Sequence, residues 1–398
     1  MRKILAYGIS ASLLLSSFLE ATSCCPTYCD YGCVDHFWVD AEYLYYQIQD
    51  SPAPIPLVNA GPTFGPILGA PGTTVVLGNE KIDNNWRSGG KFTLGYWFDD
   101  CCTWGIDGNY FFLGSRTNKK TVFSPGTSGE PVFGTPYINA ITGVSSSNPI
   151  SNSNPALDGG AYSGLAELKV MNKMQGAELN GIMMFPPMCN WKIGLLAGFR
   201  YWNFNENLSF DTNTLYLDIS TSEFLTVDKF DVQNNFYGGQ IGIGLEYIYD
   251  DFFFNLEGKV ALGGNYGTTD IHGCTASNDF NTVVGVGTIE DYVGGIYALS
   301  TNIGNHSKTV FSVIPEVNFN IGYQISNQLR INVGYNFLYV SKMFWATQQV
   351  SNLINPTQSV AIADTAPVTL VGVAEPVALN KTDSLWIQGV NVGLEFRF

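Results

Sequence analysis

In the segment 191–204, Trp191, Ile193, Leu195, Ala197, Phe199 and Tyr201 alternate with Lys192, Gly194, Gly198 and Arg200. A period of two means a β-strand with one apolar face, because successive side chains of an extended chain point to opposite sides. The same alternation recurs at 37–45, 86–98, 104–112, 165–185, 235–249, 252–262, 311–325, 329–339 and 386–398. Soluble strands average about 5–6 residues. These are about twice as long, the length that a tilted strand needs to cross a bilayer. Past the N-terminus no apolar run reaches the roughly 18 residues of a membrane helix. Charged residues make up 13% of the 398-residue chain, against about 25% in soluble domains. The expected fold is all-β: a transmembrane antiparallel up-and-down β-barrel of about ten strands, with twelve possible.

The connections support this topology. Short turns fall at Asp99–Cys102, Pro186–Asn190, Asp250–Asp251 and Ser326–Gln328, and long polar loops near 50–85, 116–160, 207–228, 271–308 and 346–383. Alternating short and long connections, with both chain ends on the short-turn side, match a barrel with periplasmic turns and extracellular loops. Aromatics at strand ends (Trp97, Phe98, Trp104, Tyr247, Tyr249, Trp386) suit interfacial girdles.

Arg2 and Lys3, the apolar stretch Ile4–Leu15 and the small residues Ala21-Thr22-Ser23 have the layout of a secretory signal peptide cleaved before Cys24. The expected organisation is a signal peptide at 1–23, a Cys-rich periplasmic segment at 24–35 and the barrel at 36–398. Lipidation of Cys24 fits the residues before it poorly. All eight cysteines would remain in the mature chain, and an even number in an exported protein favours disulfides. Cys24, Cys25, Cys29, Cys33, Cys101, Cys102 and Cys189 all fall on the short-turn side, where bridges could pin the N-terminal segment beneath the barrel or link neighbouring proteins. Metal binding by Cys25, Cys29 and Cys33 is the weaker alternative, since the spacing is not a standard zinc pattern.

Charges facing hydrocarbon are costly, so the polar face of each strand should point inward. This places Asp40, Glu42, Arg87, Lys91, Asp107, Glu178, Lys192, Arg200, Glu246, Glu257, Lys259, Glu316, Arg330, Glu395 and Arg397 in the lumen. Such groups either form a paired network filling a narrow barrel or select solutes in a pore. The inward glycines Gly242, Gly244 and Gly393 would relieve crowding in a narrow lumen. His36, His272 beside Asp270, and His306 are too scattered to suggest catalysis, and no Gly-rich phosphate loop opens a helix, so neither an enzyme nor a cofactor is expected. The net charge of −15 argues against nucleic acid. Removal of 1–23 would make it −16, a mild bias toward cations in an open lumen.

Several segments resemble a family of β-barrel outer-membrane proteins known mainly from planctomycetes. They include Phe37-Trp38-Val39-Asp40-Ala41-Glu42-Tyr43-Leu44, Arg87-Ser88-Gly89-Gly90-Lys91-Phe92-Thr93-Leu94-Gly95-Tyr96-Trp97, Leu196-Ala197-Gly198-Phe199-Arg200-Tyr201 and Leu329-Arg330-Ile331-Asn332-Val333-Gly334-Tyr335. The cysteine pairs also suit chlamydia-like bacteria, whose outer membranes resemble a disulfide-linked protein sheet. The chain's last residues, with Leu394, Phe396 and Phe398 alternating, resemble the C-terminal signal read by the barrel-insertion machinery. The resemblance implies outer-membrane location and fold. The expected partners are the lipid bilayer, lipopolysaccharide, the assembly machinery and disulfide-linked envelope neighbours. The expected function is a porin-like channel for small solutes or a structural envelope component, with a surface adhesin of filled lumen as the alternative.

Overall fold

The computed structural model describes residues 35–154, 156, 160–186, 188–217, 223–277, 290–366 and 368–398. The expected signal peptide, and all of the Cys-rich segment except Asp35, lie outside the described residues. In chain order the strands are β1 (Phe37–Ile48), β2 (Ser51–Gly61), β3 (Thr74–Ile82), β4 (Trp86–Trp97), β5 (Trp104–Ser124), β6 (Val132–Asn139), β7 (Ser145–Pro149) and β8 (Tyr162–Met184). There follow β9 (Trp191–Tyr216), β10 (Glu223–Tyr249), β11 (Phe252–Ser277), β12 (Glu290–Val293), β13 (Gly304–Gln324), β14 (Leu329–Met343), β15 (Leu353–Ile354) and β16 (Asp383–Arg397). A single turn of helix, α1, covers Val360–Ala363.

Ten of these strands close into an antiparallel barrel in the order β10-β9-β8-β5-β4-β1-β16-β14-β13-β11, with β11 returning to β10. First and last strands pair directly, Trp38 opposite Arg397 and Ile48 opposite Ile387. Closure removes the unpaired edge that no sheet can leave in hydrocarbon. The up-and-down barrel expected from the alternation is the observed architecture.

Two expectations about the loops are corrected. The stretch read as a polar loop at 207–228 is largely barrel strand, as are the two ends of 271–308 and the start of 116–160, since β9, β10, β11, β13 and β5 run past the predicted ends. The reason is a change of solvent along each strand. On β9 the outward residues from Trp191 to Tyr201 are apolar, then Asn205, Asn207, Ser209, Asp211 and Asn213 take over. The inward residues change the opposite way, from Lys192 and Arg200 to the buried Trp202, Phe204, Leu208 and Phe210. β10 inverts at Tyr237 and Phe236, giving outward Gln233 and Asp231 and buried Phe230 and Val232. At about 3.3 Å per residue and about 40° of tilt, Trp191 to Tyr201 covers roughly the 25 Å of a membrane barrel's apolar band. Beyond it the wall stands in water and encloses an apolar core.

The loops 50–85, 116–160 and 346–383 were expected to be exposed. Instead they contribute to a second sheet in the order β15-β6-β2-β3, with β7 on β6. Leu57, Val58, Leu77, Phe133, Tyr137, Val350 and Ile354 from these loops are buried against Ala166, Leu168, Val170, Leu208, Phe210, Phe230, Val232 and Ile271 of the wall. This plug fills the long-loop half of the lumen. Trp97, expected in a girdle, faces inward instead and packs on Trp38 with ring centroids 5.0 Å apart.

The inversion makes a prediction. Ile243→Arg, on the outward face within the apolar band, should lose about 2–4 kcal/mol of stability, and Gln233→Arg, on the same face beyond the band, should cost little. Urea unfolding in lipid vesicles measures both, and equal losses would contradict the placement of the band.

Candidate functional site

The lumen is layered. At the short-turn end a vestibule of about 1210 Å³ is lined by Trp38, Trp97, Lys192, Glu246, Arg330, Glu395 and Arg397, among others. Here Glu246 takes Lys192 Nζ at 3.2 Å and Arg330 Nη1 at 3.2 Å, and Arg397 Nε donates to Glu395 Oε1 at 2.5 Å. Gly244 faces this space with nothing near its side-chain position, so the crowding expected there is absent; Gly242 and Gly393 are crowded by Lys259 and by Asn332 and Glu42.

Above the vestibule lies a buried ionic layer. Arg200 donates from Nη2 to Glu178 Oε1 at 2.5 Å and also to Glu316, while Lys259 Nζ reaches Glu178 at 3.0 Å and Glu257 at 3.1 Å. Gln240 adds a donor to Glu178 at 2.9 Å, and Asn180 donates to Asp107 at 2.9 Å. On the opposite wall Lys91 holds Glu42 at 2.8 Å, and Asn391 donates to the other oxygen of Glu42 at 2.6 Å. A polar cavity of about 170 Å³ lies between them, lined by Asp40, Lys91, Asp107, Glu257 and Glu395. Arg87 stands apart from the other lumen charges, buried nearer the plug, where it donates to Asn172 at 2.6 Å and to the Asn84 carbonyl at 2.9 Å. Removing one partner from a buried ion pair costs about 3–5 kcal/mol, so the ionic layer resists opening.

The next layer is apolar. Leu44, Tyr46, Ile48, Leu113, Met174, Trp202, Phe204, Phe236, Ile314, Leu338, Val340, Leu385 and Ile387 point inward and bury Trp345, which enters from the loop after β14 and meets Phe204 edge-on at 5.5 Å. Polar groups then anchor the plug. Asp228, fully buried on β10, accepts the backbone N–H groups of Ile296, Tyr297 and Ala298 at 3.0, 3.0 and 2.7 Å. Gly295 allows this approach, because a side chain there would lie 2.3 Å from Asp228 Oδ1. Tyr297 Oη in turn donates to the Pro136 carbonyl at 3.0 Å. Glu206, fully buried on β9, accepts Ser51 Oγ at 2.5 Å and the Ala346 N–H at 2.8 Å. Asn234 bonds both the N–H and the C=O of Phe344, at 2.8 and 2.9 Å.

A family model described as Putative beta barrel porin-7 matches residues 38–398. The chain belongs to that family. It is a porin-like outer-membrane β-barrel. Among curated proteins none matches. Solved structures similar to this porin-family barrel include the outer-membrane protease OmpT of Escherichia coli, at 11% identity, 92% coverage of this chain, 98% of that chain and a TM-score of 0.43. A Pseudomonas aeruginosa FadL homologue is similar at 7% identity, with 92% and 90% coverage and a TM-score of 0.22. The P. putida toluene transporter TodX gives 9% identity, 92% and 90% coverage and a TM-score of 0.16. These low scores carry no argument about function.

Of the charges expected in the lumen, Lys192, Glu246, Arg330 and Arg397 line the vestibule, Asp40, Glu42, Lys91 and Lys259 line the cavity above it, Asp107, Glu257 and Glu395 line both, and Arg87, Glu178, Arg200 and Glu316 are buried. The anchors Glu206, Asp228, Asn234, Asn84 and Asn172 were not among them, although each continues the inward parity of its neighbours or closes a loop onto the wall. Cys101, Cys102 and Cys189 line the vestibule mouth. Cys189 is exposed in the turn after Pro186. Asp270 and His272 meet at 3.1 Å on the exposed face of β11, away from the lumen.

Burial pushes the carboxyls of Asp228 and Glu206 up to about 7, against the lowering effect of their hydrogen bonds. Both lie beyond the apolar band. For an acid raised in the folded state, the stabilisation is full below the unfolded value, near 4, and is lost as pH rises through 7. Stability should therefore fall between pH 5 and pH 8, and should fall less in Asp228→Asn, which removes one titrating group. Thermal unfolding midpoints of both proteins across that range check this, and identical slopes would contradict it.

Proposed function

We propose that the protein is an envelope component of the outer membrane whose lumen is sealed at the long-loop end, rather than a constantly open diffusion pore. The observation that carries this reading is the plug, which with the Trp345 layer and the ionic layer below it fills the barrel from the loops down to the vestibule. Its outer surface is the folded cap made by β2, β3, β6, β7 and β15. In this reading the partners are lipid, lipopolysaccharide and, during assembly, the insertion machinery that reads Phe398. Export by a cleaved signal peptide is part of it, and catalysis is not.

The vestibule favours a second reading, a channel that conducts only when the plug withdraws. Planar-bilayer recording of the purified, folded protein tests the first. It predicts no sustained single-channel conductance above background. Steady ohmic steps from the intact protein would overturn it, and steps that begin only after protease nicks the cap would favour the gated channel.

A further inference from the structure

The vestibule wall carries two indoles. Trp38 on β1 and Trp97 on β4 project into the lumen, where neither can reach lipid, and their rings lie 5.0 Å apart at an angle of 33°. Both rings lie along the wall. Gly95, opposite Trp38, and Gly105, opposite Trp97, each have an indole over the place that a side chain would fill. The two glycines let the rings lie down, so that one side of the pair rests on the sheet and the other faces the vestibule. A large aromatic left facing an aqueous space forgoes the burial that it normally supplies.

The neighbouring strands continue this floor with charged groups at matching heights. On β5, Asp107 stands opposite Gly95. On β16, Arg397 stands opposite Trp38, and Glu395 on the same face stands opposite Arg330 of β14. Each group has part of its hydrogen-bonding capacity committed and part left over. Asp107 takes Asn180 on Oδ1, Glu395 takes Arg397 Nε on Oε1, and Arg330 gives Nε to Gln324 and Nη1 to Glu246. Asp107 Oδ2, Glu395 Oε2, both Nη groups of Arg397 and Nη2 of Arg330 have no hydrogen-bond partner among the described residues. Spare acceptors and spare donors thus stand together around an aromatic floor. A ligand of one charge sign would meet its own sign among them. A hydroxyl both donates and accepts, and so suits either kind.

We propose that the vestibule is a binding site for a neutral saccharide, with a sugar ring stacked by its C–H face on Trp38 and Trp97 and its hydroxyls bonded to Asp107, Glu395, Arg397 and Arg330. A pyranose ring carries both parts that this wall matches, an apolar face of C–H groups and an edge of hydroxyls. The vestibule volume of about 1210 Å³ exceeds the roughly 300–1,000 Å³ of sites for drug-sized ligands, which leaves room for more than one ring. The site is independent of the sealed-lumen reading, because the vestibule opens at the short-turn end whether the plug holds or withdraws.

The test uses the wild-type protein folded in lauryldimethylamine oxide micelles, so that no glycoside detergent competes, with triacetylchitotriose and maltotriose as probes. Isothermal titration calorimetry should give saturable binding of at least one of them, tighter than that of spermidine or citrate. The bound saccharide should slow the oxidation of Trp38 and Trp97 by N-bromosuccinimide, read by peptide mass spectrometry, and leave that of Trp386, on the outer face of β16, unchanged. Trp38→Ala and Trp97→Ala should each weaken binding about tenfold, the scale of losing one anchoring aromatic, with the circular dichroism of the strands retained. Absence of saturable binding by both saccharides, tighter binding of either charged probe, or undiminished affinity in both folded variants would overturn the proposal. So would unchanged oxidation of Trp38 and Trp97 in the saturated wild-type protein, a result that requires no variant to fold.

Discussion

A closed sheet of ten strands encloses more space than its own inward side chains can fill, since about eight strands already give an interior just wide enough for them. Everything inside this barrel answers that constraint. A charge-lined vestibule occupies the short-turn end, paired ions the middle, large apolar side chains the next level, and folded loops the rest. Each filling matches the polarity of the wall around it. A buried carboxylate such as Glu178 is tolerable only with Arg200, Lys259 and Gln240 beside it. The plug can be apolar because Leu208, Phe210, Phe230 and Val232 line it.

The same strands therefore face two pairs of environments in succession. Within the membrane their outer face meets lipid and their inner face meets ions; beyond it the outer face meets water and the inner face meets core. On β9 and β10 the period of two is kept and only its sense reverses, whereas β5 and β14 shift register between Leu113 and Arg116 and between Val340 and Met343. Where the wall leaves the membrane, Asp228, Glu206 and Asn234 hold the loops by their backbone groups. Burial drives these tethering acids toward neutrality, so the attachment of the plug responds to pH.

The barrel was legible because outward rows such as Trp191–Tyr201 and Tyr237–Tyr249 carry a strong alternating signal, and parity alone assigns Arg200 or Glu316 to the lumen. The plug was not, because residues 207–228 are polar on average and parity does not say whether an inner face meets water or another piece of chain. A signal was present, since Trp202, Phe204, Leu208 and Phe210 continue the inward series begun by Lys192 and Arg200. Asp228 was illegible for a stronger reason. Its partners are backbone N–H groups of Ile296, Tyr297 and Ala298, which no side-chain pattern announces.

The central claim is that the lumen opens toward the short-turn end and is closed toward the long loops. Asn255, on the vestibule wall, reports on it directly. An Asn255→Cys variant, with all eight native cysteines changed to Ser, is reconstituted in one orientation and exposed to a membrane-impermeant maleimide on each side in turn. Labelling from the short-turn side alone is the result the account predicts, and labelling from the long-loop side would contradict it.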